Sequence, residues 1–163
     1  MNIVLHEPEI PYNTGNIGRT CVAAHSSLHL IKPLGFKLDE KSIKRAGLDY
    51  WKDLEVRVYD SYPDFLEKNS FPKVIMATTK AKKKYCDVPY SANSFIMFGK
   101  ESAGIPESIL KANREYCVRI PMVRGTRSVN LSNAVAIILF EALRQNDFSD
   151  LDCEGALHHA TWD

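Results

Sequence analysis

Residues 117–142 read CVRIPMVRGTRSVNLSNAVAIILFEA, a stretch that predicts a strand, a polar loop and a helix in that order. The strand covers residues 117–120, which are mostly apolar and include two β-branched side chains. Pro121 lacks a backbone N–H and therefore ends the hydrogen bonding of this strand. The helix covers residues 131–146, where apolar side chains recur at helical spacing. A strand followed closely by a helix is the repeating unit of α/β proteins.

The same alternation extends over the rest of the chain. Five further apolar runs predict strands at residues 3–5, 28–31, 56–59, 74–77 and 95–98. Helical patterns lie between them, near residues 14–25, 39–46, 62–69 and 105–113. We therefore predict a single α/β domain, residues 1–146, with a mostly parallel sheet flanked by helices. Residues 147–163 show no clear period and are predicted to form a C-terminal tail.

Composition and charge restrict the class of protein. The 163 residues carry a formal net charge of +1, so nucleic acid would have to be bound through local clusters of basic residues. The four cysteines show no CxxC pairing, and the N-terminus lacks the pattern of a signal peptide. The longest apolar run, residues 134–140, is too short to span a bilayer. We expect a cytoplasmic protein with no membrane partner.

The predicted helix at residues 131–146 has two apolar stripes. One stripe consists of Leu131, Ala134, Val135, Ile138, Leu139 and Ala142, and the other of Ala136, Ile137 and Phe140. A helix that is apolar on nearly all sides is buried on both faces. Either this helix lies at the centre of the core, or a second subunit covers its outer stripe in a symmetric homodimer.

Several catalytic and cofactor-binding motifs are absent from the sequence. There is no GxGxxG after the first strand, no GxxxxGK[ST], no GxSxG and no HExxH, which removes the signatures of the corresponding enzyme classes. His25 and His29 are four residues apart, but His29 falls in a predicted strand and no third metal ligand is evident. We predict no metal site. Cys21 is flanked by small apolar residues and is interpreted as a core residue rather than a nucleophile.

Three segments place glycine and small polar residues near the start of a predicted helix. They are NTGNIGR at residues 13–19, FGKESAGIP at residues 98–106 and SVNLSN at residues 128–133. Unpaired backbone N–H groups at helix starts suit a polar or anionic ligand. Taken alone, each segment is also explained by a tight turn or by helix capping, with Asn13 or Thr14 as the cap of the first helix. The last two segments come after predicted strands, and open parallel sheets bind ligands at the carboxyl ends of their strands.

Together, the three segments resemble the three motifs of the SPOUT superfamily of RNA methyltransferases, which bind S-adenosylmethionine. The stretches EPEIPYNTGNIGRTC, KPLGF, RAGLDYW, ATTK, FGKESAGIP and RIPM, with RSVNLSNAVA, are similar to the TrmL (YibK) type, which methylates the ribose 2′-hydroxyl of the tRNA wobble nucleotide. The similarity covers residues 2–146. It implies a parallel α/β domain with a deep C-terminal trefoil knot, a homodimer, and a tRNA substrate methylated on its wobble cytidine or uridine. The product of the donor would be S-adenosylhomocysteine, and no metal would be required.

The resemblance also implies which residues form the site. The methyl donor would lie against Ala77, Thr78, Gly99, Glu101, Ile120, Met122, Ser128 and Leu131, largely through their backbones. The catalytic positions match Arg19, Ser128 and Asn130, and Asn133 matches a further polar position. Asn13 and Arg19 match positions that face the RNA.

Two clusters of basic residues are candidates for RNA contact. Lys82, Lys83 and Lys84 follow the fourth predicted strand, close to Lys80 and Tyr85. A second cluster consists of Arg45 with Lys37, Lys41 and Lys44. Positive charge with an adjacent aromatic ring suits RNA. Two solvated loop faces would have the same composition.

Arg19 has the most testable role in the implied reaction. Methyl transfer to a ribose oxygen is an in-line displacement, in which the protein aligns and polarises the reacting groups. Arginine is almost never deprotonated in proteins, so we expect Arg19 to stabilise the forming alkoxide, with the proton passing to water, to a phosphate oxygen or to Ser128. Three other functions remain open: methylation of another tRNA or rRNA ribose, non-catalytic RNA binding, and small-ligand binding by a flavodoxin-like domain.

Overall fold

Seven strands form one sheet within the described residues, 1–37 and 49–162, of the computed structural model. The strands are β1 (Asn2–His6), β2 (Ser27–Ile31), β3 (Val56–Tyr59), β4 (Val74–Ala77), β5 (Lys83–Lys84), β6 (Phe95–Gly99) and β7 (Cys117–Arg119). Their order across the sheet is β3-β2-β1-β6-β4-β7-β5, and all the paired strands run parallel. The predicted α/β class with a parallel sheet is confirmed.

Helices flank this sheet on both faces. In the described part of the chain they are α1 (Pro11–Ala23), α2 (Tyr62–Lys68), α3 (Glu107–Ala112) and α4 (Leu131–Arg144), with short 3-10 turns at Asp49–Asp53, Tyr85–Asp87 and Arg114–Tyr116. The helix predicted near residues 39–46 lies outside the described residues. No helix among the described residues has the length and apolar character needed to cross a membrane.

The structure contradicts the predicted cap of the first helix and shows a cap within the third polar segment, at the start of α4. We expected Asn13 or Thr14 to cap the first helix, but α1 begins at Pro11, and Ile10 occupies the capping position without a side-chain hydrogen bond. Proline favours the first helical position because its fixed φ suits the helix and its missing N–H needs no partner there. Asn130 does cap α4, since its side chain accepts hydrogen bonds from the backbone N–H groups of Ser132 and Asn133.

Two apolar clusters hold the layers together, one on each face of the sheet. On one face, Ile17 of α1 and Ile138 of α4 pack with Leu5 and Phe98, and all four are nearly inaccessible to solvent. On the other face, Phe65 of α2 packs with strand residues. The chain after α4 also contributes, because Phe148 and Leu151 pack against the first cluster, whereas residues 152–162 are exposed.

The strand order creates a topological switch point beside β1. The chain moves outward from β1 to β2 and β3, and all later strands lie on the other side of β1, with β6 adjacent to it. Neighbouring crossovers that diverge in this way leave a crevice at the carboxyl ends of the strands. Gly99 at the end of β6 is paired with His6 of β1, and Phe98 with Ala77 of β4, so these three strand ends form one edge.

Candidate active site

A cleft of about 400 Å³ lies at this edge of the sheet. The ends of β4 and β6, the loop after β6, the start of α1 and the loop before α4 contribute its walls. The lining includes Asn13, Glu101 and Asn130, one from each of the three polar sequence segments. Residues far apart in the chain therefore meet where the topology predicts a ligand.

The Glu101 carboxylate holds the beginning of α1 against the loop after β6. It accepts hydrogen bonds from the backbone N–H groups of Glu9 and Ile10 at 2.9 and 3.3 Å, and from Asn13 Nδ2 at 2.9 Å. A carboxylate is favourable at this position because the unpaired N–H groups and the positive end of the helix dipole both lie at the helix N-terminus. A carboxylate from elsewhere in the chain thus accepts hydrogen bonds from the N–H groups just before α1, whose capping residue, Ile10, provides no side-chain cap.

Asn13 and Asn130 extend this interaction to α4. Asn130 Nδ2 donates to Asn13 Oδ1 at 3.0 Å, while Asn130 Oδ1 accepts from the N–H and hydroxyl groups of Ser132 at 2.9 and 2.7 Å. Both polar atoms of the Asn13 amide are therefore hydrogen-bonded, with Nδ2 donating to Glu101 and Oδ1 accepting from Asn130. A continuous hydrogen-bonded chain links all three sequence segments around the cleft.

The loop after β6 folds back on itself and is tied to the residues after β1. Gly104 N–H donates to the Lys100 carbonyl at 2.8 Å, and a Cβ at Gly99 would lie 2.0 Å from backbone atoms of Gly104 and Ile105. The predicted tight turn is therefore present, and it accounts for glycine at position 99. Lys100 Nζ forms an ion pair with Glu7 at 3.0 Å, and this hydrogen bond raises the pKa of Lys100.

Ser102 fixes the other end of this loop. Its N–H and hydroxyl groups donate to the Glu9 carboxylate at 2.9 and 2.8 Å, and these hydrogen bonds lower the pKa of Glu9. The Glu9 contact joins residues 93 positions apart, so local sequence patterns carry no signal for it. Sequence reasoning missed this acidic residue and also missed Ile10, Thr79 and Val129, which line the cleft. Lys80, which lies next to the lysine segment considered for RNA contact, lines the cleft as well.

The structure brings together most of the residues assigned to the methyl donor. Those that line the cleft are Ala77, Thr78, Gly99, Glu101, Ser128 and Leu131. Ile120 and Met122 are half-buried and are not part of this lining. Arg19 lies on α1, six residues beyond Asn13, which corresponds to ~9 Å along the helix axis. Its side chain is exposed.

The lysine segment that we assigned to RNA is largely paired with acidic residues. Lys83 Nζ lies 3.8 Å from the Glu115 carboxylate, and Lys84 Nζ lies 3.4 Å from Asp87. Lys82 makes no ion pair with any described residue. Lys83 and Lys84 also form β5, a strand that was not predicted because two lysines give no apolar signal. Arg45, with Lys41 and Lys44, lies outside the described residues.

The histidine and cysteine side chains that were considered as ligands or nucleophiles are separate from the cleft. His25 follows α1 and is exposed, whereas His29 lies in β2, where its ring is hydrogen-bonded to Ser27 and Tyr59. Burial raises the pKa of the Cys21 thiol to about 12, which keeps it protonated as a core residue. Across residues 1–37 and 49–162, no three His, Cys, Asp or Glu side chains are grouped as a metal site.

Comparisons with known proteins identify the family of this chain. The sequence model of the SpoU rRNA Methylase family matches residues 1–140. The tRNA (cytidine(34)-2′-O)-methyltransferase of Escherichia coli strain K12 is 47% identical over 146 residues, which cover 89% of this chain and 93% of that protein. A solved structure from Bacillus anthracis has a TM-score of 0.90 and 44% identity, over 94% of this chain and 99% of that one.

A second solved structure, described as giving insights into the 2-OH methylation of C/U34 on tRNA, has a TM-score of 0.83 and 38% identity. The match covers 90% of this chain and 96% of that one. The resemblance inferred from the three motifs is thereby confirmed. The fold, the cleft and these matches agree over nearly the whole chain, which belongs to the SpoU rRNA Methylase family.

Proposed function

We propose that this chain is an S-adenosylmethionine-dependent methyltransferase acting on the ribose 2′-hydroxyl of the wobble cytidine or uridine of tRNA. The name of the E. coli relative and the subject of the second solved structure support this substrate. The observation that carries the proposal is the hydrogen-bonded chain from Glu101 through Asn13 to Asn130, which joins the three motifs around one cleft. A tRNA substrate favours a cytoplasmic location.

The cleft suits the methyl donor in size and in lining. Its volume, about 400 Å³, is within the usual range for small-molecule sites. Gly99 has no side chain, and Ala77 and Ala103 have only a methyl group, so backbone groups are accessible to a ligand. S-adenosylmethionine, when bound, supplies a methyl group activated by a sulfonium sulfur. We assign its contacts to Ala77, Thr78, Gly99, Glu101, Ile120, Met122, Ser128 and Leu131.

Arg19 has an electrostatic role in the proposed mechanism. Its guanidinium group stays charged and stabilises the negative charge that develops on the ribose oxygen. The proton of the 2′-hydroxyl group passes to water, to a phosphate oxygen of the RNA or to the exposed Ser128 hydroxyl. Asn130 holds Asn13 in place through the 3.0 Å hydrogen bond between their side chains. This bond fixes the orientation of Asn13, which is 6% exposed in the wall of the cleft.

RNA contact is assigned to Asn13, Arg19 and the lysine segment Lys82, Lys83 and Lys84. The lysines are exposed on the segment that follows β4, whose end lines the cleft. Among them Lys82 has the strongest support, because the other two are already paired with acidic side chains. A phosphate must displace the carboxylate partner of each of these lysines, at a cost of at most about 1 kcal/mol for an exposed ion pair.

We assign the chain to a homodimer built on α1 and α4. The predicted second stripe of α4 is on the surface of the single chain, where Ile137 and Phe140 are 37% and 45% exposed. Ile10 and Tyr12, at the start of α1, are 44% and 78% exposed. The two helices pack against each other, so their exposed side chains supply one apolar surface for a second copy.

A deep C-terminal trefoil knot is part of the same proposal. The segment from β4 to β6 first reaches the edge of the sheet at β5 and then returns past the end of α4. There, Gln145 Nε2 donates to the Val88 carbonyl at 3.1 Å and Asn146 Nδ2 to the Tyr90 carbonyl at 3.1 Å. A knot predicts that a chain unfolded by pulling on both termini in optical tweezers stays shorter than its full contour length, whereas a full extension would exclude it.

Methylation of an rRNA ribose is the second candidate, because the matching family model is described as an rRNA methylase family. The two candidates differ in the nucleotide that loses its methyl group when the protein is absent. Mass spectrometry of digested tRNA and rRNA from a strain lacking the protein distinguishes them.

The direct experiment is methylation of unmodified bulk tRNA with labelled S-adenosylmethionine, followed by mapping of the labelled nucleotide. Label on the 2′-oxygen of nucleotide 34 is the expected result. Label elsewhere in tRNA would leave the enzyme class intact and exclude the wobble position. No label in tRNA or rRNA, together with no binding of S-adenosylhomocysteine by calorimetry, would contradict the methyltransferase proposal.

A further inference from the structure

The segment between Glu115 and Glu141 has a pronounced excess of positive charge. It contains Arg119, Arg124 and Arg127 and has no aspartate or glutamate, in a chain whose formal net charge is only +1. This segment includes β7, the loop before α4 and most of α4. Its positive charge is therefore local, as RNA binding by a nearly neutral protein requires.

The ion pairs of the described residues show that this charge is also uncompensated. Arg114 and Arg144 pair with Glu115 and Glu141, at 4.0 and 2.8 Å. Arg57 pairs with a neighbouring glutamate as well. By contrast, Arg124 and Arg127 are exposed and make no ion pair with any residue of the described ranges. Their guanidinium groups are available to an external anion.

The backbone presents Arg124 at the corner of a tight turn next to the cleft. Thr126 N–H donates to the Val123 carbonyl at 3.1 Å, and Gly125 has a φ of +91°. A positive φ at the third position is the signature of a type II turn, which glycine adopts without strain. Arg127 directly precedes Ser128, a residue that lines the cleft. Both arginines thus lie within ~14 Å of chain from the site.

We propose that Arg124 and Arg127 bind backbone phosphates of the tRNA beside the nucleotide that is methylated, an inference that rests on the proposed function. The planar guanidinium fork matches the geometry of a phosphate and can donate two hydrogen bonds to it. The methyl donor is a poorer alternative, because it has one carboxylate and two positively charged groups, whereas every linked nucleotide of the tRNA carries a phosphate. The lysine segment contributes less, because Lys83 and Lys84 must first release their acidic partners.

The test measures binding of bulk tRNA to the full chain over roughly 50 to 200 mM salt. The double variant Arg124→Ala and Arg127→Ala is compared with the double variant Lys83→Ala and Lys84→Ala, which also removes two positive charges. A third variant, Arg124→Lys and Arg127→Lys, retains the charge and removes the fork. Calorimetry with S-adenosylhomocysteine reports on the donor site in each protein.

We expect the arginine-to-alanine pair to weaken tRNA binding about 10- to 100-fold, with donor-site binding unchanged. The salt slope, which is the steepness with which the logarithm of the binding constant falls with the logarithm of the salt concentration, should decrease by about 1.5. The lysine-to-alanine pair should change the slope by less than half as much. The arginine-to-lysine pair should keep the slope.

Equal slope changes in the two alanine pairs would overturn the inference, as would an unchanged slope in the arginine pair. Loss of S-adenosylhomocysteine binding in the arginine pair would also overturn it, because the residues would then serve the donor site. Absence of tRNA binding in the wild-type protein would exclude both this inference and tRNA as the substrate. Binding of tRNA without methyl transfer would contradict the proposed function alone.

Discussion

Glu101 is the residue on which the geometry of the cleft depends most directly. Its carboxylate accepts three hydrogen bonds from residues 9, 10 and 13, and the last of these orients the Asn13 side chain. In Glu101→Gln, one oxygen becomes an NH₂ group that faces donors and cannot accept from them. The variant should lose about 1–3 kcal/mol in the free energy of unfolding by urea and at least tenfold in tRNA methylation.

The matched control for Glu101 is Glu107→Gln. Glu107 carries the same charge and pairs with Lys80 at 3.0 Å, but its side chain is 79% exposed. An exposed pair of this kind is worth at most about 1 kcal/mol, so its loss should have little effect on stability. If Glu101→Gln were as stable as the wild type while donor binding fell, Glu101 would act only through its proposed donor contact and not as a clamp for α1.

His29 should make stability depend on pH. Burial, with a smaller effect from the positive charge of Arg57, lowers the pKa of His29 to about 4. The folded protein keeps the ring neutral, whereas the unfolded chain takes up a proton below its ordinary pKa of 6.5. The free energy of unfolding should be highest above pH 6.5 and fall as pH drops toward 4, by about 3 kcal/mol from this residue.

Urea unfolding between pH 4 and 7.5 checks this dependence. His29→Gln removes the titrating group, so its stability should fall less steeply with acid than that of the wild type. A residual slope is expected because burial also lowers the pKa of His6. His25→Asn, at an exposed position, should keep the wild-type slope. Parallel curves for the wild type and His29→Gln would show that His29 is not the group responsible.

At the scale of elements, the turn between β6 and α3 depends on the absence of a side chain at position 99. A Cβ there would lie 2.0 Å from the backbone of Gly104 and Ile105, and backbone atoms have no room to move aside. Gly99→Ala should therefore cost about 3 kcal/mol in the free energy of unfolding or displace residues 100–104. Displacement would move Glu101 and reduce S-adenosylhomocysteine binding by at least tenfold.

Gly155→Ala is the control for the same substitution in open space, since no heavy atom beyond the two neighbouring residues lies within 4 Å of the position that its Cβ would take. Its stability should stay within about 0.5 kcal/mol of the wild type. Wild-type stability and donor binding in Gly99→Ala would contradict the close approach of the two backbone segments.

Elements with a strong local pattern were predictable from the sequence, and those that depend on distant partners were not. Apolar runs predicted six of the strands, and the spacing at residues 131–146 predicted α4. The edge strand β5 was not predicted, because Lys83 and Lys84 have no apolar pattern and their backbones join the sheet through β7 alone. The start of α1 was misplaced because Pro11 begins the helix, and the carboxylate that accepts from the Ile10 N–H belongs to Glu101, 91 residues away.

At the scale of the whole molecule, the same contrast applies to the site. The three polar segments were recognisable, and the rule for parallel sheets predicted the edge at which they meet. The contacts between these segments could not be predicted, because the strand order β3-β2-β1-β6-β4-β7-β5 follows from packing of the complete chain. The Asn130–Asn13 hydrogen bond spans 117 residues, and only the folded chain brings the two side chains together.

The proposed homodimer gives a prediction that belongs to the whole molecule. Phe140 is 45% exposed on α4, in the apolar surface that we assign to the second copy. Phe140→Arg would place an unpaired charge at the centre of a buried interface, which is costly. Light scattering at micromolar concentration should give twice the 18.4 kDa chain mass for the wild type and the single mass for the variant.

Phe71→Arg is the matched control, because Phe71 is 73% exposed and follows α2, whose Phe65 packs on the opposite face of the sheet from α1 and α4. It should remain a dimer. If association through α1 and α4 also holds the start of α1 in its active orientation, Phe140→Arg should lose tRNA methylation more than it loses stability. A wild-type protein with the mass of one chain would rule out the dimer, and a dimeric Phe140→Arg would move the interface to another surface.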